Sequence, residues 1–221
     1  RFDNLNILQY KNFNFMNIKV YSDTICGWCY IGHTKLAKAL SFFKDSTFDL
    51  EHVPFQLNPD MPKEGIKRID YLKYKFGGIE IARPMYERMA EEGKKEGLSF
   101  VFDKIILTPN TSLSHLLIKL AYRKKIGLKI INEIFKSYFQ DGIDIGNINN
   151  LIKIGKKFNL EEKEIKDFLL SEVEMKKINL SDSDARSKGI TGVPFFNINN
   201  NTYISGAQST ENLIEAIKTN L

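Results

Sequence analysis

The chain has 221 residues, 43% hydrophobic and 27% charged, which suits one generous globular domain or one domain carrying a large insertion. No apolar run approaches the roughly 20 residues of a membrane span, and no charged, apolar, small-residue progression at the start reads as a signal peptide. The formal net charge is +5, yet the pairs Lys94-Lys95, Lys124-Lys125 and Lys156-Lys157 each flank apolar periodicity, so they read as solvated helix faces and predict neither a nucleic-acid nor a membrane partner.

Residues 1–16 read as an N-terminal extension, with Met16 as a candidate start and residues 1–15 as a processed remnant or added segment. Asn17–Ser22 alternates and carries β-branched and aromatic residues, as a strand does. Apolar positions at helical spacing (Tyr30, Ile31, Leu36, Ala37, Leu40) then predict a helix from about Cys26 to Phe43. Phe48–Phe55 alternates again, with Pro54 near its end, where a missing N–H is tolerated. Asn58–Pro62 is a loop by its prolines.

From Lys63 to Lys188 the periodicity is helical. The expected helices are Ile66–Phe76, Ile79–Gly97, Ser112–Ile126, Lys129–Gln140, Ile148–Phe158, Glu161–Leu170 and Glu172–Lys188. Asn147 is placed to cap one helix and Gly127 to end another. Leu116, Leu117, Leu120 and Ala121 form a core stripe. The pattern then returns to strands at Pro194–Ile198 and Thr202–Ser205, joined by the turn Asn199–Asn201. Ser209 is expected to cap a last helix, Thr210–Thr219, with Glu211 favourably placed in its first turn. The order is β-α-β, a helical block that supplies no strands, then β-β-α. Residues 17–62 and 186–221 form one discontinuous α/β unit, and residues 63–185 an all-helical insertion.

The chain holds only two cysteines, Cys26 and Cys29, within one stretch of four residues at the start of a predicted helix. A loop that short removes little unfolded-chain entropy, so a structural disulfide is a poor explanation. A helix N-terminus presents unpaired N–H groups and partial positive charge, both of which favour a thiolate, the nucleophilic form. Cys26 is the expected attacking sulfur and Cys29 the resolving one. Gly27 leaves the turn flexible, and Trp28 offers an apolar ledge for substrate. A zinc site built on Cys26, Cys29 and His33 is the competing reading. Structural zinc usually takes four ligands, and the only other imidazoles, His52 and His115, lie far off in sequence. No metal is therefore predicted. The second signal is Gly192-Val193-Pro194. A cis Val193–Pro194 bond would leave the Val193 backbone open to an extended substrate. Asp23 reads as a turn residue and His33 as solvated.

The segments Tyr21–Gly32, Pro54–Pro59, Asn110–His115, Gly192–Phe196 and Ser205–Gln208 together resemble the FrnE branch of the DsbA-like oxidoreductases, and the resemblance spans nearly the whole chain from Asn17. It implies a thioredoxin-like fold with a large all-helical insertion, a redox-active CxxC and a proline facing it. It also gives Asn110 and His115 positions that could face the cleft, so His115 is read either as a substrate-binding candidate beside Gly27, Trp28, Val193, Pro194 and Gln208 or as a hydrogen-bonded histidine packing the insertion against the core. One departure is Gly27, where the family commonly has Pro, and this bears on the reduction potential. No tightly bound cofactor is implied. The expected partner is a protein or small-molecule thiol or disulfide, in the cytoplasm or an organelle. Two alternatives are carried. One is a glutathione-linked transferase or isomerase like the kappa-class glutathione transferases and 2-hydroxychromene-2-carboxylate isomerases, which typically keep Ser where Cys26 stands. In that case glutathione, as co-substrate, would meet Val193 and the Ser205–Gln208 turn. The other is a holdase-like interaction module.

Overall fold

A computed structural model describes residues 15–44 and 46–221. The expectation of an extension at residues 1–14 lies outside the described residues. Phe15 and Met16 instead open the first strand, β1 (Phe15–Ser22). Met16, Ile18 and Val20 are all almost fully buried, so the two-residue period of the strand runs unbroken through Met16.

The main sheet takes its four strands from the two ends of the described chain. β1 pairs in parallel with β2 (Thr47–Pro54) and antiparallel with β5 (Phe195–Ile198), which pairs antiparallel with β6 (Thr202–Ser205). The spatial order is β2-β1-β5-β6. In register, Val20 lies opposite His52 on one side and Phe196 on the other. The parallel β1–β2 link requires a crossover, and α1 (Gly27–Leu40) provides it. The last helix, α9 (Thr210–Lys218), is capped by the Ser209 hydroxyl, which accepts from the Asn212 N–H at 3.1 Å. Met16, Ile18, Val20, Leu36, Ala39, Phe196, Ile198, Leu213 and Ile217 make one apolar core between the sheet, α1 and α9.

The intervening segment forms the helical insertion: α2 (Arg68–Phe76), α3 (Ile79–Lys95), α4 (Ser112–Arg123), α5 (Gly127–Phe139), α6 (Ile148–Lys156), α7 (Glu162–Leu169) and α8 (Glu172–Ser187). Asn147 caps α6 as expected, accepting from the N–H groups of Asn149 and Asn150. Three expectations are corrected. The insertion does supply strands: β3 (Ile66–Lys67) and β4 (Leu107–Thr108) pair as a small antiparallel ribbon, so α2 begins only at Arg68. A 3₁₀ turn, Phe102–Lys104, stands between α3 and β4. Gly127 starts α5 and does not end α4. The reversal falls on Lys125 (φ 60°), and a side chain at Gly127 would drive into the Tyr122 ring, 2.3 Å from its Cβ position.

The second core lies within this insertion. It gathers Leu116, Leu117, Ile118, Ile134, Phe135, Phe139, Leu151 and Ile165, and it also contains Cys26, Cys29 and Tyr30. Helix α1 is thus shared. Its first turn is rooted in the helical core and its last turns in the sheet core.

Candidate functional site

Cys26 occupies the N-cap of α1 with extended backbone (φ −94°, ψ 109°) and no side-chain cap of its own. Its carbonyl accepts the N–H groups of Cys29 (3.0 Å) and Tyr30 (3.2 Å), and its own N–H donates to the Asp23 carbonyl (3.1 Å). The turn is therefore held from both sides. The Cys26 Sγ donates to the Val193 carbonyl at 3.6 Å. The Val193–Pro194 peptide is cis. The Pro194 ring lies close over Gly32 of α1, within 2.8 Å of where a Cβ would stand. Helix start and proline loop thus face each other across the first turns of α1, and Trp28 and Val193, both half-buried, pack on the same core as the two cysteines.

The two sulfurs differ. Cys26 keeps 8% of its surface exposed, whereas Cys29 has none. Both are free thiols. Burial, reinforced by a hydrogen bond and the charge of Cys26, pushes the Cys29 thiol well above the ordinary thiol range, against a smaller lowering from the Asp23 backbone and the Ser22 hydroxyl. An inner thiol held protonated beside a more accessible outer one is a chemically asymmetric pair.

Gly27 is buried under α3. A Cβ there would stand 2.2 Å from the Met89 Sδ and 3.2 Å from the Phe100 ring. The Met89 sulfur fills the space a Cβ at this position would take. Met89 and Phe100 were not singled out from the sequence.

Behind Cys29 lies a polar seam. All three histidines of the chain converge there from α1, β2 and α4. The His52 Nε2 and His115 Nδ1 share a hydrogen bond at 3.0 Å, with rings stacked at 5.2 Å. The His115 Nε2 faces the Asp23 Oδ1 at 3.4 Å, and the Asp23 Oδ2 accepts the Leu57 N–H at 2.7 Å. His33 packs against Phe135 and His52. Two expectations fall here. His33 is 4% exposed, and burial alone lowers its imidazole to about 4. It is not a solvated side chain. His115 is fully enclosed and hydrogen-bonded to His52, so of its two readings the cleft-lining one falls and the packing histidine holds. Its partner in that expectation, Asn110, spends its amide on the Met61 carbonyl (2.7 Å) and the Ser112 N–H (2.9 Å). Asp23, read as a turn residue, is fully buried and ties the β1–α1 turn to the segment after β2.

Gln208 lies in the turn between β6 and α9. Its amide donates to the Ser205 carbonyl at 2.8 Å and accepts from the Asn212 Nδ2, while neighbouring Gly206 holds the Pro194 carbonyl at 2.8 Å. Among the described residues, no three His, Cys, Asp or Glu side chains converge as a metal site, and no helix is long and apolar enough to cross a membrane.

The family model for the DSBA-like thioredoxin domain matches residues 17–218. The chain is 25% identical over 206 residues to the uncharacterised protein YwbO of Bacillus subtilis (strain 168), covering 91% of this chain and 96% of that one. Its fold is that of a probable DsbA oxidoreductase from Streptomyces coelicolor (TM-score 0.83, 24% identity, covering 93% of this chain and 89% of that one). The same fold is found in a cytosolic disulfide reductase, DsbM, from Pseudomonas aeruginosa, solved with GSH (TM-score 0.66, 16% identity, covering 92% and 98%). With a pair of free thiols at the start of its first helix and a family match over nearly its full length, the chain belongs to the DsbA-like thioredoxin family.

Proposed function

We propose that this protein is a thiol–disulfide oxidoreductase that exchanges disulfides through Cys26 and Cys29. The observation that carries the reading is the asymmetry of the pair: one sulfur at the helix mouth against the Val193 carbonyl, the other sealed beneath it and held protonated. In the reducing direction, the Cys26 thiolate attacks one sulfur of a substrate disulfide and the other sulfur leaves as a thiolate. The Cys29 thiol gives up its proton and attacks the Cys26 sulfur of the mixed disulfide, releasing the second substrate thiolate. Two electrons pass to the substrate, and a Cys26–Cys29 disulfide remains. The oxidising direction is the reverse. A high Cys29 pKa delays the second step until Cys26 is engaged, because thiolate attack depends on the thiolate fraction. The Val193–Pro194 loop supplies the backbone against which an extended substrate lies.

Substitution of the inner sulfur is the test. In Cys29→Ser, a disulfide substrate should form one stable mixed disulfide on Cys26, visible by mass spectrometry and removed by reductant. In Cys26→Ser, exchange should be abolished. Full activity in Cys26→Ser would make the thiol chemistry incidental and favour an interaction module. Activity that needs Cys26 but not Cys29, with glutathione as the attached group, would instead favour the glutathione-linked alternative. A pair that never forms a disulfide at any glutathione poise would end the proposal.

A further inference from the structure

A cavity of about 710 Å³ opens between α2, α3 and the 3₁₀ turn, a size typical of small-molecule sites. One wall is aromatic: Tyr86 and Phe102 lie 4.7 Å apart between centroids, and Phe102 stacks on Phe100 at 5.2 Å. Leu72 and Ile105 also line it, and Ile69, Ile79 and Ile106 stand exposed around it. The cavity adjoins the redox turn, because Phe100 is the ring that meets the Cβ position of Gly27, next to Cys26.

Arg68 projects into this cavity. Its guanidinium lies over the Tyr86 ring at 5.0 Å and the Tyr71 ring at 5.5 Å. It donates to the Tyr86 hydroxyl at 2.6 Å and the Thr108 hydroxyl at 3.2 Å. Both acceptors are neutral. Arg83, Arg123 and Arg186 each hold a carboxylate. For half-buried Arg68, no carboxylate among the described residues lies within ion-pair distance. A guanidinium has five N–H donors in a planar fork suited to a carboxylate, and two aromatic faces fix its plane before any ligand arrives. A half-buried cation of fixed orientation with donors left over can take an anion; Glu87 and Asp103 also line the cavity, but neither lies within ion-pair distance of the guanidinium.

We propose that this cavity is the substrate subsite for a carboxylate carried on an apolar disulfide, with Arg68 receiving the carboxylate and the Tyr86–Phe100–Phe102 wall receiving the apolar body. The inference rests on the disulfide-exchange reading. Bound there, the substrate presents its S–S bond to Cys26, whose thiolate takes one sulfur and expels the other as a thiolate. Cys29 then displaces the first. The two electrons come from the Cys26–Cys29 dithiol.

The test uses reduced protein in single turnover with two probes, bis(carboxynitrophenyl) disulfide and its dicarboxamide, at one ionic strength. The readout is the ratio of the two second-order rate constants, from which any loss of active protein cancels. In Arg68→Gln the carboxylate-to-carboxamide ratio should fall about tenfold, the scale of a charge-assisted hydrogen bond. In Arg68→Lys, which keeps the charge and loses the fork, it should fall less. An unchanged ratio in Arg68→Gln overturns the proposal. If the native protein reacts with neither probe, the redox reading fails, and titration with the thioether analogue of the dicarboxylate, which has no S–S bond, decides the subsite. Binding to the native protein and not to Arg68→Gln upholds it, and binding to both or to neither refutes it.

Discussion

Two buried regions flank the redox helix and are built from opposite materials. The sheet face under α1 and α9 is wholly apolar, from Met16 through Phe196 to Ile217. The seam between β2 and α4 buries Asp23, His33, Gln56, Ser112, Ser114, His115 and Asp182. There the Gln56 N–H donates to the Asp182 carboxylate at 2.7 Å, its side chain donates to the Ser112 hydroxyl at 3.0 Å, and Arg186 binds Asp182 at 2.9 Å. The Thr24 and Ser114 hydroxyls meet at 2.7 Å. An apolar core accepts side chains of similar volume at modest cost. A polar seam accepts only matched partners, because each unmatched donor or acceptor loses its water and gains nothing. The molecule places the tolerant material under the far end of α1 and the exacting material behind Cys29.

The largest expected effect lies on the apolar side. Phe196→Ala removes a fully buried ring from the sheet core and should cost about 3–5 kcal/mol in chemical denaturation. A loss below about 1 kcal/mol would mean that the sheet core collapses around the gap and that the contrast is overstated.

Acid sharpens the comparison from the other side. Burial holds His33 at about 4 in the folded protein, against 6.5 when it is free. Between those values the unfolded chain binds the proton and the folded chain does not. The His33 contribution is therefore complete above pH 6.5 and is lost as pH falls towards 4, by about 3 kcal/mol in all. Burial, together with the charges of His115 and His33, lowers His52 in the same direction. The difference in stability between pH 7.5 and 4.5 should shrink in His33→Leu. An identical pH slope in the two proteins would remove His33 from the account.

Gly27 offers a smaller test, where α1 meets α3. Gly27→Ala should cost about 1–2 kcal/mol through overpacking, since the Met89 sulfur ends a flexible side chain that can move aside, and the cost should be smaller in a Met89→Ala background, where the colliding sulfur is gone. Additive losses in the double-mutant cycle would show that Met89 is not the obstacle. Smallest is Ser209→Ala, which removes the α9 cap and should cost about 1 kcal/mol. That measurement gives the scale of a solvated local bond against the seam's buried ones.

The apolar half was legible in the sequence because its signals are periodic and local. Alternation marks β1, β2 and the β5–β6 hairpin, and Asn147 and Ser209 mark helix starts through their own side chains. The cysteine pair was legible because spacing alone places both sulfurs on one turn. The seam was not, since His33, His52 and His115 come from three elements and meet only after the chain has folded. The β3–β4 ribbon was hidden for a different reason, because two residues per strand are too few to show a period of two. Arg68 carried no local signal. What distinguishes it is a half-buried guanidinium held against two aromatic rings with no carboxylate in ion-pair distance, which only three dimensions reveal.

The sheet's order also has a consequence for synthesis. β1 is among the first described residues to leave the ribosome, yet one of its two neighbours, β5, is among the last. The helical insertion emerges in full during that interval and can close its own sequence-local contacts first. From β1 until β5 is made, the nascent chain therefore carries an incomplete sheet beside its thiols, and the sheet closes only when the β5–β6 hairpin arrives.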